Sequence, residues 1–163
     1  MNTIKSYLTY DHKFCDKLLL AVKIEVNNRS WQLAENKFNK FLIAINWHIN
    51  IEEDLLFPEF EKVTGIKTGP TYIMRLEHAE INKMTKHILN DLINQQKANF
   101  ILNYEKFLAI LQPHSTKEEQ ILYPMCDEQI SEQVQDLLTQ IENKRKYLRS
   151  KLTSTKLVNA DLN

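Results

Sequence analysis

Two stretches of the chain share one pattern, and this pattern decides the fold. Residues 48–58 read HINIEEDLLFP, and residues 114–124 read HSTKEEQILYP. Each stretch has a histidine, two glutamates four and five positions later, and a leucine–aromatic–proline ending. The second stretch begins 66 residues after the first. Because 66 residues amount to about two long helices, the repeat predicts a duplicated helical hairpin.

The same offset extends beyond the two stretches. It relates Phe41-Leu42 to Phe107-Leu108, and Asp11-His12 to Glu77-His78. Each half therefore carries a histidine that follows an acidic residue, and then a His-x-x-x-Glu motif that begins 36 residues later. The whole chain has only five histidines, so chance is a poor explanation for two such matches at one offset.

The composition indicates a single soluble helical domain. The 163 residues are 43% hydrophobic and 26% charged, which is ordinary for a globular protein. Two glycines and four prolines are too few for the turns of an all-β fold. Lysine plus arginine and aspartate plus glutamate both total 21, so no charge imbalance points to a nucleic-acid partner.

The sequence also predicts a cytoplasmic protein without a membrane partner. No apolar run approaches the roughly 18 residues that cross a bilayer. The N-terminus lacks the apolar core of a signal peptide and soon reaches Asp11 and His12. In the cytoplasm, Cys15 and Cys126 are expected to stay reduced rather than form a disulfide.

Apolar residues at helical spacing predict four long helices and a fifth segment. Asn27-Asn28 should end the first helix, Ser30 should cap the second, and Gly65 and Gly69-Pro70 should separate the second from the third. The expected ranges are 4–26, 30–61, 71–95, 99–125 and 131–152. Short connections favour antiparallel neighbours, so the predicted fold is all-α. It is an antiparallel up-down-up-down four-helix bundle with an additional C-terminal helix.

The predicted domain covers residues 1–152, and residues 153–163 are expected to form a flexible tail. Within the helices, Pro58, Pro113 and Pro124 should each kink or end the helix that contains them, because proline lacks a backbone donor.

Spacing places the duplicated polar residues on the inner faces of the helices. A histidine and a glutamate four positions apart lie on one face of a helix. Buried carboxylates without partners cost several kcal/mol each, and no lysine or arginine occurs at matching inward spacing. A pair of metal ions resolves this cost. The candidate ligands are His12, His48, Glu52, His78, His114 and Glu118.

Four imidazoles and two carboxylates form a nitrogen–oxygen site that suits iron, zinc, manganese or nickel. One carboxylate from each half can bridge two ions, with two imidazoles on each ion. Coordination positions then stay free for an oxo or hydroxo bridge and for an added small ligand. Such open positions are typical of reactive sites and not of structural zinc sites.

The two stretches resemble the signature halves of hemerythrin-like (HHE cation-binding) domains, and the resemblance covers about residues 5 to 150. It implies an antiparallel four-helix bundle around a non-haem di-iron centre. It also implies that the six residues named above are the ligands, with Glu52 and Glu118 bridging. The expected cofactor is two iron ions with an oxo or hydroxo bridge.

The sequence departs from the oxygen-carrying members of that family. Those members have a fifth histidine four positions before the one that corresponds to His78, where this chain has Met74. Their last carboxylate ligand follows its histidine by five positions, a spacing that Glu119 fits. We prefer Glu118, because the internal repeat pairs it with Glu52. The missing histidine argues against reversible oxygen carriage.

Three functions follow from these residues and from the resemblance. The first is a di-iron protein that binds a small oxidant (O2, hydrogen peroxide or NO) and could also reduce it, so enzymatic activity is left open. The second is a non-enzymatic sensor of iron, oxygen or NO, or an iron-handling module that acts through a partner. The third is a helical interaction module with a vestigial site.

The fifth segment could cover the bundle or form a dimer surface, and covering the bundle is the interpretation we favour. A homodimer and a separate protein partner both stay open.

Simpler roles are expected for the remaining notable residues. His87 should face solvent, since it lies half a turn round the helix from His78. Glu53 and Glu119 should lie beside the metal face, where they support the ligands or face solvent, and a ligand role for either one stays open. Cys15 is expected to be a buried, inert thiol. Packing roles are expected for Tyr7, Tyr10, Tyr104 and Tyr123, although one of these tyrosines could hydrogen-bond a metal-bound ligand. A solvated helix face is expected for residues 144–146.

Overall fold

Helices and short turns account for all of residues 3–146, which are the residues that the computed structural model describes. No strand occurs in this range, so the all-α prediction is confirmed. The long helices are α1 (Ile4–Asn27), α2 (Trp31–Ile51), α4 (Pro70–Ile93) and α5 (Lys97–Lys117). The shorter helices are α3 (Phe57–Thr64), α6 (Tyr123–Gln129) and α7 (134–146). None of the helices within residues 3–146 has the length and apolarity to cross a membrane.

Local side-chain chemistry explains where the helices begin and end. Thr3 Oγ1 accepts a hydrogen bond from the Ser6 amide at 3.0 Å, and Ser6 Oγ accepts one from the Thr3 amide at 3.3 Å, which caps α1. Gly65 ends α3 in the left-handed conformation, with φ of 74°. Ser30 does precede α2, but its side chain makes no capping hydrogen bond, contrary to the prediction.

Two π-helical turns interrupt the helices where continuous helices were predicted. They span Glu52–Leu56 and Glu118–Leu122, so they too are 66 residues apart. The amides of Phe57 and Tyr123 donate to carbonyls five residues earlier. A proline follows each of these aromatic residues. In an ordinary α-helix the proline ring would clash with the backbone carbonyl four residues earlier, and the wider π-helical turn relieves this clash.

Pro113 does not end the helix that contains it. Pro113 lies inside α5, and the helix continues past it to Lys117. Pro58 and Pro124 lie in the first turns of α3 and α6, where a missing backbone donor does little harm.

The helices enclose two apolar clusters with a polar layer between them. Helix α1 packs along α2, α4 packs along α5, and α2 also contacts α4. The first cluster takes residues 15–26, 34–49, 81–92 and 100–111 of the four long helices. The second takes residues 4–8, 51–60, 74 and 122–141. On every long helix the histidine of the repeat lies where one cluster gives way to the other.

Helix α7 covers one end of the bundle. Its residues Val134, Leu137, Leu138 and Ile141 are buried in the second cluster. The Arg145 guanidinium donates to both carboxylate oxygens of Asp11 at 2.7 Å. The prediction of a solvated face at residues 144–146 is therefore wrong for Arg145. Residues 147–152 of the predicted fifth helix and the predicted tail at 153–163 lie outside the described residues.

The repeat mates Phe41 and Phe107 meet inside the first cluster and provide a test of the core. Their rings are 5.9 Å apart and nearly perpendicular, and neither side chain is exposed. Phe41→Ala should lower the free energy of unfolding by about 3–5 kcal/mol, because it leaves a cavity in the core. Urea denaturation of the metal-free protein measures this loss.

The matched control is Leu102→Ala on α5, a side chain that is 56% exposed. It should change the free energy of unfolding by less than about 0.5 kcal/mol. Equal losses in the two variants would show that Phe41 does not lie in the core described here.

Candidate metal centre

The six side chains predicted as ligands lie together in the polar layer between the apolar clusters. All six are buried, and the carboxylates of Glu52 and Glu118 have no exposed surface. Helix α1 supplies His12, α2 supplies His48, α4 supplies His78 and α5 supplies His114. The two glutamates are the first residues of the two π-helical turns.

The histidines form two pairs. His12 Nε2 and His48 Nε2 are 2.8 Å apart. The rings of His78 and His114 form the second pair, with centroids 4.9 Å apart and planes at 71°. Each pair joins residues from two helices and brings two imidazoles close enough to bind one ion.

Each buried carboxylate lies between the two pairs. Glu118 Oε2 is 3.2 Å from His12 Nε2, while its other oxygen, Oε1, is 3.1 Å from His114 Nε2. Glu52 Oε2 is 3.2 Å from His78 Nε2 and 3.6 Å from His48 Nε2. A carboxylate that reaches both pairs is placed as a bridging ligand would be.

A second layer of carboxylates holds the outer nitrogens of the histidines. Nδ1 of His12 is 2.7 Å from Glu119 Oε1, and Nδ1 of His78 is 2.7 Å from Glu53 Oε1. These two contacts are related by the 66-residue offset. With the proton on Nδ1 shared with the carboxylate, the Nε2 lone pair faces the centre, as a metal-ligating histidine requires. Glu53 and Glu119 thus lie beside the site, as expected.

The 66-residue offset also relates the acidic residues nearest to Nδ1 of His114 and Nδ1 of His48, but only one of these two makes a hydrogen bond. His114 Nδ1 donates to Glu77 Oε2 at 3.0 Å, and Lys117 pairs with the same carboxylate. Asp11 is the repeat mate of Glu77, yet its carboxylate lies 3.9 Å from His48 Nδ1 and binds Arg145 instead. Among residues 3–146, His48 Nδ1 has no hydrogen-bond partner.

Several buried atoms at the centre lack the partners that buried polar atoms need. Glu52 Oε2, Glu118 Oε1 and His78 Nε2 make no hydrogen bond within the described residues. His78 Nε2 nevertheless lies 3.2 Å from Glu52 Oε2 and 3.7 Å from Glu118 Oε1, which are distances typical of ion pairs. Each unsatisfied buried group costs about 1–3 kcal/mol. Two groups of three residues, each including Glu118, bring ligand atoms within 4.8 Å of one another. These donor atoms fit a pair of cations.

Without metal, the close carboxylates control the charge of the histidines. Burial lowers the pKa of His12, but the carboxylates of Glu118 and Glu119 outweigh burial and raise it to about 9. Burial likewise lowers the pKa of His78, and Glu118 and Glu52 raise it to about 10. Burial would raise the pKa of the Glu118 carboxyl, but the three neighbouring histidines hold it well below its usual value.

Tyr123 belongs to the site, although a packing role was expected for it. Its ring is fully buried, and its hydroxyl donates to Glu52 Oε1 at 2.6 Å. The repeat mate Phe57 has no hydroxyl, and its ring stacks on the His78 ring at 5.9 Å. The only signal in the sequence was that the repeated leucine–aromatic–proline ending carries Phe in one copy and Tyr in the other.

The other residues singled out from the sequence lie apart from this chemistry. His87 is exposed, as expected. Cys15 is a buried free thiol, and burial raises its pKa to about 12, so it is not reactive. It lines an open, mostly apolar cleft of about 380 Å³ between α1 and α2, together with Asp11, Phe14, Trp47 and Arg145.

The raised pKa values of His12 and His78 predict how the metal-free protein responds to pH. Because these pKa values exceed the ordinary 6.5, the folded state holds the protons more tightly than the unfolded state. The stability they contribute is complete below pH 6.5 and is lost as the pH rises through 9 to 10. The thermal midpoint in the presence of a chelator should therefore fall over this interval.

His78→Gln should make the fall shallower, and the exposed control His87→Gln should leave it unchanged. A midpoint that is constant or rises between pH 6.5 and 10 would contradict the charge state assigned to the metal-free cluster.

Comparison with known proteins agrees with this geometry. The family model described as the hemerythrin HHE cation-binding domain matches residues 3–126. No curated protein and no solved structure gives a significant match. The matched range covers most of the chain and includes all six candidate ligands. The chain therefore belongs to the hemerythrin HHE cation-binding domain family.

Proposed function

We propose that this protein holds two iron ions in a His4Glu2 centre, where it binds and can reduce a small oxidant such as O2, hydrogen peroxide or NO. One observation carries the proposal. Glu118, fully buried, turns one carboxylate oxygen to His12 and the other to His114. The proposed ligands are His12, His48, Glu52, His78, His114 and Glu118.

The proposal includes an up-down-up-down order of the four long helices within one domain that spans residues 1–152. Support comes from the order of the apolar clusters along each helix. Helices α1 and α4 run from the second cluster to the first, whereas α2 and α5 run from the first to the second. Alternating directions of this kind bring all four histidines to one level.

The donor set favours a ligand-binding role over iron storage. Histidines outnumber carboxylates two to one, so the ligands compensate less of the metal charge than in carboxylate-rich ferritin-like sites. Iron bound here would supply one-electron redox chemistry and open coordination positions for a small ligand.

The chain contributes orientation and exclusion of water. Glu119, Glu53 and Glu77 fix three of the imidazole rings through Nδ1. The apolar clusters on both sides keep bulk water away from the centre.

A sensor is the second candidate, and one contact favours it. Arg145 on α7 holds Asp11, whose carboxylate lies 3.9 Å from His48 Nδ1. A shift of the His12–His48 pair can therefore move Asp11 and, through Asp11, Arg145 on α7. Helix α7 could then transmit this movement to a partner or to a second copy of the chain. We propose a cytoplasmic location for either candidate.

Metal content tests the centre itself. After anaerobic loading with Fe(II) and removal of excess metal, the wild-type protein should retain two iron ions per chain. Glu52→Gln and Glu118→Gln should each weaken iron binding tenfold or more, because a neutral amide is a poor bridge between two cations. The matched control is Glu132→Gln, on an exposed turn, which should bind iron like the wild type. Unchanged iron binding in both test variants would remove these residues as ligands.

Turnover separates the enzyme from the sensor. If the protein consumes peroxide, the iron form should evolve O2 from hydrogen peroxide over many cycles, and Glu118→Gln should abolish this. A visible spectrum that changes reversibly with O2 or NO, without peroxide turnover, would favour the sensor. A spectrum that none of the three ligands changes would count against both.

A further inference from the structure

The two halves of the centre differ at one fully buried aromatic position. The half that contains Glu52 continues with Phe57, and the half that contains Glu118 continues with Tyr123. Each aromatic residue directly follows a π-helical turn, and both side chains are fully buried. The Tyr123 hydroxyl is thus an added oxygen on one side only.

That oxygen is surrounded by side chains that would hold the cation beside His12 and His48 in the proposed function. Tyr123 Oη lies 2.6 Å from Glu52 Oε1 and 3.2 Å from Glu118 Oε2. It also lies 3.3 Å from His12 Nε2 and 3.4 Å from His48 Nε2. Both histidines present the nitrogen that faces the centre.

The four distances match those between neighbouring ligands of one ion. Two donor atoms bonded about 2.1 Å from an ion, at right angles to one another, lie about 3.0 Å apart. In six-coordinate geometry each ligand has four such neighbours. Tyr123 Oη has four, at 2.6–3.4 Å, and all are candidate ligand atoms.

The other half has no oxygen in this place. The Phe57 ring lies nearly parallel to the His78 ring, at an angle of 7°. It brings an apolar face to the His78–His114 pair, so a cation there would have one protein ligand fewer.

We propose that Tyr123 Oη is a ligand of the cation held by His12 and His48, and that the cation held by His78 and His114 is the one open to an added small ligand. This inference rests on the proposed function. When Tyr123 binds, its O–H bond breaks, the proton leaves to solvent and an O–metal bond forms, with no change in electron count. The anionic oxygen favours the trivalent state of iron at that position.

The test uses spectroscopy of the full chain. The protein is loaded anaerobically with Fe(II) and then oxidised with O2. A phenolate bound to Fe(III) gives a visible charge-transfer band, and resonance Raman excitation in that band enhances tyrosine ring vibrations. Ring-deuterated tyrosine should shift these vibrations in the wild-type protein, which requires no variant.

Variants then locate the tyrosine. Tyr123→Phe should lose the band while it still binds two iron ions, because phenylalanine already occupies the equivalent place in the other half. The control is Tyr104→Phe, a buried tyrosine of the first apolar cluster, which should keep the band. Thermal unfolding of the metal-free Tyr123→Phe protein checks that it folds.

The outcomes separate this inference from the function on which it rests. A wild-type protein with two iron ions and no enhanced tyrosine vibrations overturns the Tyr123 ligand and leaves the di-iron centre standing. A band that persists in folded Tyr123→Phe also overturns it. A wild-type protein that binds no iron overturns both proposals.

Discussion

The burial of two carboxylates among four imidazoles is the constraint on which the rest of the structure depends. Glu52 and Glu118 have no exposed surface, and within residues 3–146 their carboxylates contact histidine nitrogens and the Tyr123 hydroxyl. Leaving such groups unpaired in the core would cost several kcal/mol each. Partly protonated histidines offset this cost in the metal-free protein, and cations would offset it in the loaded protein. The metal-free protein therefore favours protonated imidazoles, whereas the loaded protein needs neutral ones, since a histidine that binds metal must be neutral.

Duplication supplies this arrangement economically. Each half supplies one histidine pair, one buried glutamate and one π-helical turn, so one hairpin pattern used twice builds both sides of the centre. The π-helical turns matter because they begin at the two glutamates and let Leu56 and Phe57, and likewise Leu122 and Tyr123, both point inward. The two halves differ in two places. One half has Tyr123 where the other has Phe57, and Asp11 binds Arg145 instead of His48.

The sequence predicted most of the fold and the six central residues, because helical periodicity and a repeat at fixed offset are both visible in one dimension. It missed features that depend on three-dimensional context. The π-helical turns arise from competition between proline and backbone hydrogen bonding, and proline alone indicated only a kink or an end. Ser30 was predicted to cap α2, but capping needs a side-chain direction that residue type does not specify. Arg145 was assigned to solvent because its partner, Asp11, is 134 positions away. Tyr123 looked like packing because nothing in the sequence states where its hydroxyl points.

In the proposed centre, two metal ions lie side by side between the four long helices and share Glu52 and Glu118. A crystal structure of the iron-loaded protein, with anomalous diffraction recorded at the iron absorption edge, tests this most directly. Two anomalous peaks are expected in the polar layer, one beside His12 and His48 and the other beside His78 and His114. A single peak, or peaks confined to surface carboxylates, would contradict it.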